Sequence, residues 1–168
     1  MKWTSVALLV TAYIAFQGTA LAADVELPLR KAGKWEQKTT MEEGGKNHEQ
    51  TLTICIDAEM ERNTAANSAG EHKAHCTKYE VKKDGDKVVI DATCKMNGRD
   101  VESFTEMSGD FQKTFDVKIS STTSGIQDSQ SISIKRVIEQ QGKFLDESCG
   151  DLKAGEAMGT DGTKVMVQ

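Results

Sequence analysis

The stretch KVVIDATCKM-NG-RDVESFTEM, residues 87–107, decides the fold class of this chain. Apolar and polar residues alternate with a period of two on both sides of Asn97-Gly98, which is typical of strands that bury one face. Asn-Gly is the commonest two-residue hairpin turn because both residues tolerate a positive φ. That turn sets Cys94 opposite Val101, so the two apolar faces coincide. The sequence therefore predicts an antiparallel sheet.

The neighbouring turn signals extend the sheet on both sides. A three-residue Ser108–Asp110 loop is expected to place Met107 opposite Phe111, and a two-residue Asp84-Gly85 loop to place Val81 opposite Val88. Further strands are predicted at 34–41, 50–56 and 130–138, with the first two joined by a hairpin. We expect a mainly β fold: a curved antiparallel meander or partly open barrel of about seven or eight strands with one short helix.

The predicted helix starts after Asp57, whose carboxylate can cap it, and runs through Ala58–Asn63. Residues 65–70 are expected to form a loop. The segment 151–168 is predicted to be a tail with little to pack, although 165–167 could add an edge strand.

The amino terminus has the pattern of a secretory signal peptide. Lys2 precedes an apolar run over 6–16, and Ala20-Leu21-Ala22 is an A-x-A cleavage site. The run is too short for a membrane span, so none is expected after cleavage. We interpret residues 1–22 as the signal peptide, 23–150 as one β domain and 151–168 as the tail, and expect export to the periplasm of a Gram-negative bacterium.

Four cysteines in the exported part indicate two disulfides in an oxidising compartment. Their spacing does not suit zinc, and we predict no metal and no cofactor. We favour the pairs Cys76–Cys94 and Cys55–Cys149. In the predicted register Cys76 lies on the opposite sheet face from Cys94. Either a β-bulge adds a residue there, or this pairing is wrong.

The composition restricts the function classes. The net charge of −5 comes with lysines that alternate with acidic residues, which disfavours nucleic acid as a partner. His72-x-x-His75 is the one local cluster of metal-type ligands, and we interpret it as surface histidines. No catalytic motif is found, and we predict that the protein is not an enzyme.

One face of the predicted sheet is apolar but short of bulky side chains, which favours a groove over a filled core. We therefore expect a soluble periplasmic protein that binds an apolar or extended small ligand there. The alternative is a structural or stress-related envelope protein that acts through protein contacts at a sheet edge. A third hypothesis is a hydrolase or metal-dependent enzyme at the two histidines. The expected ligand face consists of Tyr79, Val88, Ile90, Val101, Met107, Phe111, Phe115 and Val117.

Several pieces of the chain resemble an exported bacterial family called domain of unknown function 3617. Gly33-Lys34-Trp35-Glu36 through Met41 is similar to that family's G-L-W-E-x-T-T-T-M opening, and Thr53–Glu59 to its x-x-C-L-T-P-E segment. A Cys-bounded hairpin over 76–94 and a late Cys149 continue the resemblance. It implies a periplasmic, mostly β protein with two disulfides and no assigned activity, and it supplies no catalytic residue.

Overall fold

Nine antiparallel strands form one open sheet in the part of the chain that the computed structural model describes, residues 25–127 and 129–167. The mainly β, antiparallel prediction is confirmed, with more strands than expected. The predicted signal peptide lies outside the described residues. The elements are β1 Gly33–Glu43, β2 Lys46–Ile56, α1 Ala58–His75, β3 Cys76–Asp84, β4 Lys87–Met96, β5 Arg99–Gly109, β6 Thr114–Gln127, β7 Gln130–Asp146, β8 Glu156–Gly159 and β9 Lys164–Met166.

The strand order is β3-β4-β5-β6-β7-β1-β2-β8-β9. Strands β3 to β7 form a meander, and the hairpin of β1 and β2 adds to its far side through β7. The hairpin turn Asn97-Gly98 has positive φ at both residues, and Cys94 pairs with Val101 as predicted. Strands β3 and β9 are the two edges of the sheet.

Two predicted registers are wrong. The β3–β4 turn consists of Gly85 and Asp86, so Val81 pairs with Ile90 and not with Val88. Of these two turn residues Gly85 alone has a positive φ, which puts glycine first in the turn, as a type II′ hairpin requires.

The β5–β6 connection also differs from the prediction, because Met107 pairs with Val117 and not with Phe111. One carboxylate oxygen of Asp110 accepts hydrogen bonds from the backbone N–H groups of Gln112, Lys113 and Thr114. These bonds give the backbone an alternative to the strand ladder. Phe111 consequently lies in the turn, with φ +55°, and β6 begins only at Thr114.

The helix is three times as long as predicted, because the expected loop at 65–70 is helical. Asp57 caps it as predicted, and its carboxylate accepts a hydrogen bond from the Met60 N–H at 2.7 Å. The less exposed side of this helix consists of polar and small residues at helical spacing. The sequence therefore lacks the apolar period that would predict the full helix. The less exposed side comprises Glu61, Ala65, Ser68 and His72.

Both favoured disulfides are present. A register shift between Cys76 and Lys78 places Cys76 directly opposite Cys94, so the bulge alternative is confirmed. The Cys55–Cys149 bond joins β2 to the segment that follows β7.

The segment after Cys149 packs more than predicted. Strand β8 pairs with β2, β9 pairs with β8, and Ala157 is fully buried. The disulfide to Cys55 holds this segment beside β2, and the Gly155 N–H donates to the Cys55 carbonyl at 3.0 Å. The C-terminal segment is therefore part of the sheet.

The core lies on one face, around Trp35, which is fully buried. Phe115 and Phe144 contact Trp35 with ring centroids 5.5 Å away, and the indole N–H donates to the Lys31 carbonyl at 2.8 Å. The complete buried cluster is Trp35, Ile54, Ile56, Phe111, Phe115, Val117 and Ala157.

Candidate ligand cavity

A cavity of about 330 Å³ opens on the same face as the core. Its volume is at the lower end of the range of about 300–1,000 Å³ that is typical of small-molecule sites. The lining consists of Pro28, Arg30, Gln37, Ile54, Ile56, Glu61, Met107, Phe111, Phe115, Val117, Gln140 and Val167.

The cavity requires a strongly curved sheet. Met107 belongs to β5 and Ile54 to β2, and these strands are four places apart in the sheet. At about 4.8 Å per strand they would lie about 19 Å apart on a flat sheet. Both line one small cavity, so this face is concave. The expected curvature is thereby confirmed.

Phe115 lines the cavity but is only 3% exposed, with the Arg30 guanidinium carbon 5.8 Å from its ring centroid, and its position depends on Gly142. Phe115 and Gly142 pair across β6 and β7, and a Cβ built on Gly142 would lie 1.9 Å from a Phe115 ring carbon. The ring therefore lies flat over the glycine. Phe111 stacks on it with centroids 5.4 Å apart and planes 12° apart.

The polar side of the cavity is a largely buried ion pair. Arg30 Nε donates to Glu61 Oε1 at 2.9 Å and Nη2 to Oε2 at 2.8 Å, a bidentate geometry. The Arg30 backbone N–H also donates to Oε1, and Nη1 donates to the Gln37 side-chain oxygen at 3.3 Å. The side chains of Arg30 and Glu61 are 16% and 10% exposed. Each charge is thus neutralised by the other.

Gln140 supplies a second polar group to the lining. Its strand position on β7 faces Val117 of β6 and Thr39 of β1. Among the described residues no hydrogen bond to its side chain is found, although the residue is only partly exposed. An amide in this state can donate to and accept from a bound molecule.

The segment before β1 closes one side of the cavity. The Lys31 N–H donates to the Phe111 carbonyl at 2.8 Å, and the Lys31 ammonium lies 4.5 Å from the centroid of the Phe144 ring. These contacts hold Pro28 and Arg30 at the rim.

The structure brings together half of the predicted ligand face. Met107, Phe111, Phe115 and Val117 line the cavity, whereas the other four lie on the same sheet face but outside it. Tyr79 stacks on His72 of the helix at 4.3 Å, and burial raises the pKa of its hydroxyl. The four residues outside the cavity are Tyr79, Val88, Ile90 and Val101.

The sequence does not predict the polar lining. Arg30 and Glu61 are 31 positions apart, and no local spacing connects them. Gln37 could have been found, since it follows the buried Trp35 at the inward period of two.

The two histidines of the helix do not converge on a ligand. His72 Nδ1 is within hydrogen-bond distance of the Ser68 carbonyl, and His75 Nε2 lies 3.4 Å from a Glu71 oxygen. Within residues 25–127 and 129–167, no group of three or more His, Cys, Asp or Glu residues is arranged to hold a metal ion.

A second cavity, of about 560 Å³, lies on the outer face of the sheet, opposite the core. It includes Phe104, which is 45% exposed, and the Lys78–Asp91 ion pair, whose hydrogen bond raises the pKa of Lys78. Its remaining lining is mainly Ser, Thr and charged residues. Apolar residues make up eight of the twelve lining residues of the smaller, concave-face cavity and three of the thirteen on the outer face, so the concave-face cavity is the better candidate for a ligand site.

Comparisons with known proteins identify a matching family. A family described as "Protein of unknown function (DUF3617)" matches residues 30–149. Neither the curated proteins nor the solved structures contain a significant match. No helix in the described part of the chain has the length and apolar character needed to cross a membrane.

Proposed function

Because the chain belongs to the DUF3617 family, which has no assigned function, we propose from its own geometry that it is an exported periplasmic protein that binds a small, mainly apolar molecule in the concave-face cavity. The single observation that carries the proposal is the cavity itself. Its floor is apolar, and a few polar groups lie at one side, which is the usual composition of a small-molecule site.

The volume of the cavity limits the ligand. With about 30 Å³ for each water-sized group, a cavity of about 330 Å³ accommodates roughly ten non-hydrogen atoms. The ligand is therefore a short-chain or single-ring molecule, or the end of a longer one.

Binding suits the lining better than catalysis does. Glu61 is the carboxylate of the lining, and Arg30 occupies both of its oxygens. A general base must be free to take a proton from a bound molecule. Within the described residues, the lining also has no Ser, Thr, Cys or Lys nucleophile.

The periplasmic location rests on two observations. Residues 1–22 have the signal-peptide pattern, and the four cysteines form two disulfides, which persist in oxidising compartments.

Native mass spectrometry of protein purified from its export compartment tests the proposal. Met107→Trp fills the cavity from β5, and Phe104→Trp is the matched control, because Phe104 lies on the outer face of the same strand. We expect a bound mass, or uptake of an added apolar dye, with wild type and the control. Met107→Trp should lose it.

The proposal fails if the folded wild type carries no bound mass and takes up no dye. It fails equally if both variants bind as wild type does, because the molecule then occupies another site.

A second candidate is the protein-contact role at a sheet edge. Val165 and Met166 of the edge strand β9 and Val167, which follows it, form a contiguous apolar run, and they are exposed by 46%, 62% and 41%. Exposed apolar edges can pair with another chain. Cross-linking in intact cells should then detect a reproducible protein partner, and the variant Met166→Lys should lose that cross-link.

A further inference from the structure

The Arg30–Glu61 ion pair determines which ligands the cavity can accept. These are the two charged side chains of the lining, and they neutralise each other in bidentate geometry. The remaining polar groups of the lining are the neutral amides of Gln37 and Gln140. A molecule in this cavity therefore meets no unpaired charge.

An anionic ligand would be at a disadvantage. Both oxygens of Glu61 already bind the guanidinium, so a second carboxylate would compete with them and be repelled by them. It would also lose its hydration, and a buried charge without a counter-charge is costly. A cationic ligand meets the same difficulty at Arg30.

An uncharged polar group meets no such penalty. The Gln140 amide has a donor and an acceptor to offer, and Gln37 uses its side-chain oxygen for Arg30 and donates to Thr39. A hydroxyl or amide on the ligand can satisfy both its own groups and those of Gln140.

We propose that the ligand is an uncharged amphipathic molecule, with an apolar body against Met107 and Val167 and a hydroxyl or amide group at Gln140. This inference rests on the proposed binding function and specifies its ligand class. It excludes fatty-acid anions and alkylamines as ligands of the wild-type cavity.

Calorimetric titration with four probes of one chain length tests this proposal. The probes are octanol, octanamide, octanoate and octylamine, which match the cavity in their number of non-hydrogen atoms and differ only in the polar group. At neutral pH we expect octanol and octanamide to bind at least about tenfold more tightly than the two charged probes.

Two variants should remove this preference. Glu61→Gln leaves Arg30 unneutralised, so octanoate should gain at least about tenfold relative to octanol. Arg30→Gln should favour octylamine in the same way. The double variant Arg30→Gln/Glu61→Gln is neutral again and should restore the preference for uncharged probes. Glu80→Gln is the control: it removes an equal charge from an exposed ion pair with Lys82 and should change nothing.

The possible failures are distinguishable. If none of the four probes binds to folded wild type, the proposed binding function falls. If octanoate binds as tightly as octanol, binding stands and the ligand class is wrong. The order of the four affinities in the wild type alone decides between these outcomes, so the test does not depend on the folding of the variants.

Discussion

Replacing Gly142 with alanine should destabilise the protein through a single steric conflict. The new Cβ would lie 1.9, 2.4 and 2.5 Å from three Phe115 ring carbons. The φ of Gly142 is not in the left-handed region, so backbone strain adds nothing. Phe115 is 3% exposed and packs between Phe111 and Trp35, so its ring cannot move without disturbing both.

The expected cost follows from overpacking a well-packed core, about 1–3 kcal/mol. With an m value of about 2 kcal/mol/M, the urea midpoint should fall by about 0.5–1.5 M. The assay is equilibrium unfolding under oxidising conditions, followed by the fluorescence of the fully buried Trp35.

Two controls isolate the conflict. Gly70→Ala lies in α1 with nothing within 4 Å of the added Cβ and should stabilise by about 0.5–1 kcal/mol. Phe115→Leu combined with Gly142→Ala should cost less than the sum of the single changes. An unchanged midpoint for Gly142→Ala would refute the packing described for Phe115.

Three further predictions concern the rest of the fold. Replacing both cysteines of a bridge with serine should lower the free energy of unfolding by about 4–5 kcal/mol for Cys55–Cys149 and by about 3 kcal/mol for Cys76–Cys94. The costs differ because the bridged residues are 94 and 18 positions apart. Urea unfolding measures both losses, and equal losses would show that loop length does not determine them. Asp57→Ala removes the helix cap and should cost about 1 kcal/mol, with Asp151→Ala as a surface control; a thermal melt that does not change would show that the cap contributes nothing. The backbone N–H groups of Lys113, Thr114 and Gln112 hold the pKa of Asp110 below its ordinary 3.8. Its contribution is therefore complete above pH 3.8 and is lost as the pH falls through the lower folded-state pKa. Asp110→Asn should flatten the acid side of the stability profile, and an unaltered profile would rule out this role.

The sequence predicts the fold class because alternation and hairpin turns are local signals. Asn97-Gly98 fixes one register correctly, since only one turn type suits that pair. The predicted register at Asp84-Gly85 is wrong because it depends on which residue of the turn has the positive φ, and that residue is Gly85 at the first turn position. The predicted register at 108–110 is wrong because the Asp110 carboxylate accepts hydrogen bonds from three backbone N–H groups and so lengthens the turn.

The site is less predictable than the fold. The alternation of apolar and polar residues identifies Phe115 and Val117. It does not identify Arg30, Glu61 and Gln140, which line one cavity because the sheet is curved and the segment before β1 passes over its rim. The end of the helix is predicted too early because its inward stripe beyond Asn63 consists of Ala65, Ser68 and His72, which give no clear apolar period.

Methyl NMR most directly tests the claim that the concave-face cavity is the binding site. With ¹³C-labelled methionine and isoleucine methyl groups, added octanol should shift the signals of Met107, Ile54 and Ile56, which line the cavity. The exposed Met96 and Ile126 should not shift. Equal shifts at all five residues, or none at Met107, would show that octanol does not bind in this cavity.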